Sequence, residues 1–239
     1  MLTETNLMAV RRLTGLSSTY MDAIYTSFVT MRGSGVIMNE DFSNGVVTLT
    51  NYTRTNKMTL TGGNTSSAAV VKTWGAVGGA GAATADIIIV AVGRASDGTT
   101  EQFGVGSTTT NNIHVNTIHG GANAPAVFRD GVPNLDAADM PATPSEPAAG
   151  TDFAMIGVRD QGTEIYANGF SITNNADLWN TTKGSAAGGS ITPVVNTMAI
   201  VDFEIFYGAM MFAFAAGGLP ATWKADMQTM ARTLIKAKS

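Results

Sequence analysis

The chain has no cysteine among its 239 residues, which excludes a disulfide framework and any thiolate-held zinc or redox site. Stability therefore rests on packing. Charge is scarce too: 13 % of residues are charged, about half the usual fraction, so the surface has to be built from Thr, Asn, Ser, Gly and Ala. The 14 Lys and Arg against 18 Asp and Glu leave a net charge of −4, and the basic residues are scattered. With no basic stripe to hold a phosphate backbone, nucleic-acid partners are excluded. The most apolar runs, Ile87 to Val92 and Tyr207 to Ala216, fall short of the roughly 20 residues of a membrane-spanning helix. No long apolar stretch follows Arg11 and Arg12, so the N-terminus lacks a signal-peptide pattern and synthesis in a cytoplasm is expected. Catalytic signatures are missing as well. There is no G-x-S-x-G elbow and no phosphate-cradling G-x-x-x-x-G-K-[ST] loop, and no cofactor is expected. The two histidines, His114 and His119, are five apart, which puts them on opposite faces of a strand and denies them a shared metal.

What is present divides the chain at residue 35. In residues 1–35, Tyr20, Met21, Ile24, Tyr25 and Phe28 recur at helical spacing, Ser18 or Thr19 stands ahead of Asp22 as an N-cap, and Gly33-Ser34-Gly35 closes the segment. This pattern predicts an amphipathic helix over 19–30. A helix of about twelve residues is not stable alone in water, so its stripe packs either on the edge of its own domain or, as expected here, on a neighbouring subunit.

Residues 36–239 have the punctuation of an all-β domain: short β-branched or aromatic runs between Gly, Asn, Asp and Ser clusters. Strands are expected over Val46 to Thr50, Lys57 to Thr61, Ala68 to Thr73, Asp86 to Gly93, Thr100 to Gly106, Ile113 to Ile118 and Ala126 to Arg129. Gly75 to Ala85 reads as a loop. Five of the seven prolines fall in 125–147, so 130–150 is expected to be a long surface loop. Two strands follow, Phe153 to Arg159 and Thr163 to Ala167, bracketing the turn Asp160-Gln161-Gly162. Beyond them come Ile200 to Tyr207, Met210 to Ala215, and a helix opened by Pro220 whose Trp223, Met227, Met230, Leu234 and Ile235 form an apolar stripe.

A hairpin ending in Asn168-Gly169, then the run Ile200-Val201-Asp202-Phe203-Glu204-Ile205-Phe206-Tyr207, then a terminal helix, is an order that resembles the closing half of the concanavalin A-like, laminin G-like β-sandwich family. The resemblance implies an all-β antiparallel sandwich with a concanavalin A-like jelly-roll topology and a C-terminal helix, and the short N-terminal helical arm is where this chain departs from the family. Sandwich glucanases of that fold carry Glu-x-Asp-x-Glu along one strand. Here Ile200 stands at the first position, so the resemblance implies that the nucleophile is missing and that Asp202 and Glu204 are a structural couple on one strand face. No enzymatic activity is expected. Calcium, the usual accessory of lectin-like sandwiches, would draw on Asp130, Asn134, Asp136 and Asp139, but these meet no ligand spacing and read as turn formers, so no metal is expected.

Two kinds of contact remain. Trp179, in Asn174-Asn175-Ala176-Asp177-Leu178-Trp179-Asn180, is the best exposed candidate for stacking on a sugar ring, while Trp223 belongs to the helix core. The stripe Tyr20, Met21, Ile24, Tyr25 and Phe28 is the candidate surface for partners. A cysteine-free, weakly charged sandwich with an extra arm looks like the decoration, cement or fibre-associated proteins of bacterial viruses. That likeness implies a homo-oligomer bound to other virion proteins, located in the virion, with a glycan-binding module as the alternative.

Overall fold

The computed structural model describes residues 52–54, 58–60, 66–74, 85–96, 100–107, 111–117, 126–128, 134–135, 145–160, 164–184, 195–215 and 219–238. The expected arm 1–35, its helix and the expected strand Val46 to Thr50 lie outside them. The described strands are β1 (Tyr52–Arg54), β2 (Met58–Leu60), β3 (Ser66–Trp74), β4 (Ala85–Ala95), β5 (Gln102–Ser107), β6 (Asn111–Asn116), β7 (Ala126–Phe128), β8 (Asn134–Leu135), β9 (Asp152–Asp160), β10 (Glu164–Ser171), β11 (Ala176–Gly184), β12 (Val195–Val201) and β13 (Phe203–Ala215). One helix, α1 (Trp223–Lys238), follows them.

The strands form two antiparallel sheets. One has seven strands in the order β1-β2-β13-β4-β9-β10-β11, the other six in the order β3-β12-β5-β6-β7-β8. The molecule is an antiparallel β-sandwich with a C-terminal helix laid on the outer face of the seven-stranded sheet. That third layer explains the run Ile87 to Val92, which is fully buried along its whole length instead of alternating. A strand covered on both faces needs apolar side chains on both. Ile88, Val90 and Val92 join Ala154, Ile156 and Val158 under Met227, Met230 and Ala231 of α1. Ile87, Ile89 and Ala91 point the other way, into the space between the sheets. There Phe206 of β13 stacks on Phe103 of β5 with ring centroids 5.6 Å apart, and Phe203 stacks on Phe153 at 5.7 Å. Each such fully buried large side chain contributes roughly 1.5–3 kcal/mol.

The expected strand Ile200 to Tyr207 is corrected by the structure. β12 ends at Val201 in the six-stranded sheet, Asp202 takes a left-handed φ of 57°, and β13 begins at Phe203 in the seven-stranded sheet. It then runs unbroken to Ala215, absorbing the expected separate strand Met210 to Ala215. Asp is one of the few residues besides Gly that tolerates this conformation, so the chain crosses between sheets at a single residue. Register against β4 shifts between Phe203 and Ile205. Phe203 consequently faces the inter-sheet core while Ile205 joins the cluster under α1, although alternation alone would put both on one face. The interval 130–150 also contains the two-residue strand β8 and a buried Pro147, so it is not wholly a surface loop.

Candidate functional site

Three polar clusters are candidates, and each begins from a strand end or helix face. The first joins neighbouring strands. Arg94 of β4 and Asp152 of β9 are register partners, so their side chains emerge side by side. Arg94 Nε donates to Asp152 Oδ1 at 2.8 Å and Nη2 to Oδ2 at 3.3 Å, and the Tyr207 hydroxyl donates to Oδ1 at 3.1 Å. The hydrogen bond to Asp152 strengthens Arg94's hold on its proton. Burial, with Asp152's charge behind it, pushes the Tyr207 hydroxyl up to about 12. The backbone of Asp152 ties in the next turn, its carbonyl accepting from Ile172 and Thr173 N–H at 2.8 and 3.2 Å.

The second cluster fastens α1. Lys224, Gln228 and Arg232 are spaced by four and share one face of the helix. Lys224 Nζ donates to Asp177 Oδ2 at 2.6 Å, and Gln228 Nε2 donates to Asp177 Oδ1 at 3.1 Å and to Asn168 Oδ1 at 3.0 Å. Asn168, fully buried, donates in turn to Asp177 Oδ1 and to the Trp179 carbonyl. Arg232 donates to Asn175 Oδ1 at 2.6 Å and lies over the Phe170 ring, 4.6 Å from its centroid. Partial burial alone would raise the Asp177 carboxyl, but the hydrogen bonds from Lys224, Asn168 and Gln228 outweigh it and hold the group below the ordinary carboxylate range.

The third cluster closes one end of the sandwich. Glu101 is fully buried. Its Oε1 accepts from the Ser96 N–H at 2.8 Å and its Oε2 from the Thr117 hydroxyl at 2.7 Å, while Thr117 Oγ1 accepts from the Glu101 N–H at 2.8 Å. One carboxylate thus joins the end of β4, the start of β5 and the end of β6. Elsewhere, Asp86, also fully buried, accepts from the Leu219 N–H at 3.1 Å and fixes the chain entering α1. Burial weakens the proton affinity of Arg159, an effect partly countered by Asp86.

Chemically these clusters are ties. Asp202 and Glu204 do not form the couple expected of them, because the turn at Asp202 breaks the strand before Phe203. Glu204 is exposed, and burial raises the Asp202 carboxyl. Trp179 is a second correction. It is 3 % exposed because residues 176–184 form strand β11, and its ring lies against Gly169 so closely that a Cβ there would sit 2.4 Å from it. No flat face is left for a sugar. Trp223 is half-buried against Tyr166, centroids 5.6 Å apart.

Tyr20, Met21, Ile24, Tyr25 and Phe28 lie outside the described residues, as do His119, Asp130, Asp136 and Asp139. His114 belongs to β6 and Asn134 to β8. Among the described residues no three His, Cys, Asp or Glu gather as a metal site. The helix tie was recoverable from sequence, since Lys, Gln and Arg at intervals of four border the apolar stripe. The pairing of Arg94 with Asp152, 58 residues apart, leaves no local signal.

No family model matches the chain, and no curated protein does. Among solved structures, the chain is similar to a seed lectin of Lotus tetragonolobus, at 8 % identity over 72 % of this chain and 94 % of that one, with a TM-score of 0.44. A winged bean acidic lectin, solved with methyl-α-D-galactose, matches at 10 % identity over 71 % and 93 % of the two chains, TM-score 0.39. A protein of unknown function from Shewanella oneidensis MR-1 matches at 8 % identity over 78 % and 80 %, TM-score 0.40. These likenesses concern the two-sheet architecture alone.

Proposed function

We propose that this chain is a non-enzymatic assembly protein, a β-sandwich that decorates a virus particle or joins its fibres and acts through its surface. The observation that carries this reading is the use made of the acidic side chains. Asp86, Glu101, Asp152 and Asp177 each hold two or more elements together, and the two carboxylates closest in sequence to a glycosidase pair are parted at Asp202. A hydrolase of the carboxylate type needs two acidic groups facing one cleft. The low surface charge supports the same reading, since faces covered by neighbours need little electrostatic solvation. Binding of a glycan by ring stacking loses its best candidate in the burial of Trp179.

Negative-stain imaging of the source particle, with the protein labelled, tests the proposal beside mass photometry of the isolated chain. A discrete position on the particle is the expected result. Turnover of β-glucans by the unmodified protein, abolished by Glu204→Gln, would overturn it.

A further inference from the structure

Two separate demands of packing meet at Asn168-Gly169, within β10. Gly169 is imposed by the Trp179 ring, since a Cβ there would lie 2.4 Å from its nearest atoms. Asn168 is imposed by hydrogen bonding. Its Nδ2 donates to Asp177 Oδ1 at 3.0 Å and to the Trp179 carbonyl at 2.9 Å, and its Oδ1 accepts from Gln228 Nε2 at 3.0 Å, so one short side chain has to offer donors and an acceptor. A carboxylate would offer acceptors alone. The result is an Asn-Gly pair, the dipeptide most prone to lose ammonia from its side chain, because nothing on the glycine hinders the attack of its backbone nitrogen. The sequence holds one other, Asn44-Gly45, outside the described residues.

We propose that Asn168 is a spontaneous modification site sealed by folding, at which prolonged opening of β10 becomes permanent loss of the fold. In the reaction the Gly169 nitrogen attacks Asn168 Cγ, a C–N bond forms and ammonia leaves; water then opens the five-membered imide to aspartate or isoaspartate. No electron changes hands. The folded chain blocks the first step twice. Attack requires the backbone to bend back on the side chain, whereas Asn168 and Gly169 are held in strand pairing with Ile156 and Met155 of β9 and with Asn180 and Trp179 of β11. The carboxamide is itself buried and fixed at both its oxygen and its nitrogen. Either product is barred from returning to this structure. Aspartate would set a buried carboxylate against two acceptors, Asp177 Oδ1 and the Trp179 carbonyl, and a buried charge so placed is strongly unfavourable. Isoaspartate would add an atom to the backbone of a strand paired on both sides, which spoils its register. Chemical change in the opened chain is one route by which unfolding becomes irreversible.

The test incubates the chain in mildly alkaline buffer, folded or in guanidinium, and follows Asn168 separately from Asn44 by peptide mapping with mass spectrometry. Conversion at Asn168 is expected in guanidinium and not in the folded chain over the same interval. Met230→Ala thins the packing of α1 and takes no part in the hydrogen bonds of Asn168. It should speed conversion under folding conditions at least about tenfold, because openings become that much more frequent. Equal rates in the folded and unfolded chain overturn the proposal, as does a folded Met230→Ala chain that converts no faster than wild type. Asn168→Asp tests the product directly. That variant should fail to fold or unfold at a far lower denaturant midpoint, and a midpoint equal to that of wild type overturns the claim that conversion is permanent.

Discussion

The two faces of the seven-stranded sheet are closed by opposite means. On the inner face, aromatic rings rest directly on glycine backbone: Phe203 on Gly93, where an added Cβ would lie 2.2 Å from the ring, and Trp179 on Gly169. On the outer face, α1 meets the sheet through Met227, Met230 and Ala231, flanked by the flexible polar stripe Lys224, Gln228 and Arg232. At these two glycines the inner face has no room for one more atom. The outer face has long side chains that can readjust. Interiors packed like crystals punish added volume, whereas thioethers and long polar groups accommodate change, so the two faces should differ in what breaks them.

The largest effect is expected from Gly93→Ala. The new methyl would meet the Phe203 ring and the Ile205 carbonyl at 2.8 Å, and backbone cannot step aside, so a loss of about 3 kcal/mol or more is expected, read from denaturant midpoints. Little loss would mean that the inner face is looser than described. Met230→Ala, on the outer face, removes buried volume instead of adding it and should cost about 2–3 kcal/mol; thermal unfolding of the purified variant checks it. Next comes Asp152→Asn. It keeps one acceptor oxygen but loses the charge and sets an amide N–H against Arg94 Nη2, and should cost about 1–3 kcal/mol, with Arg94→Met plus Asp152→Leu recovering part of it.

The smallest effect belongs to Asp177→Asn, since the Asp177 and Lys224 side chains are 43 % and 32 % exposed. A pair so screened contributes below about 1 kcal/mol. Its signature is pH. The Asp177 carboxyl is held below the ordinary aspartate value by its hydrogen bonds to Lys224, Asn168 and Gln228, so its stabilisation is present above that ordinary value and lost as pH falls through the lower folded one. The difference in stability between wild type and Asp177→Asn should therefore shrink below about pH 4, and a difference that stays constant down to pH 2 would remove Asp177 from the helix tie.

Much of the fold was legible because hydrophobic pattern and turn chemistry act locally. Ile87 to Val92, Phe153 to Arg159 and the Pro220-led helix all stand where their periodicity placed them. The errors have physical sources too. Val201, Phe203, Ile205 and Tyr207 alternate without interruption, and nothing in that pattern marks the left-handed turn at Asp202 or the register shift that follows it. Trp179 looked exposed because Asn, Asp and Ala surround it. Only the glycine opposite, on another strand, makes the pocket for its ring. Polar ties such as Arg94 with Asp152 depend on strand order, which is a property of the whole sheet.

That strand order also sets the sequence of events during synthesis. β13 lies between β2 and β4, so the middle of the larger sheet is filled by a segment that leaves a ribosome long after both of its neighbours. Until then β4, apolar on both sides, has β9 beside it but neither its other neighbour nor its helical cover. Long-range pairing of this kind is slow and leaves sticky intermediates. The nascent polypeptide thus carries an open apolar seam until β13 and α1 emerge and close it.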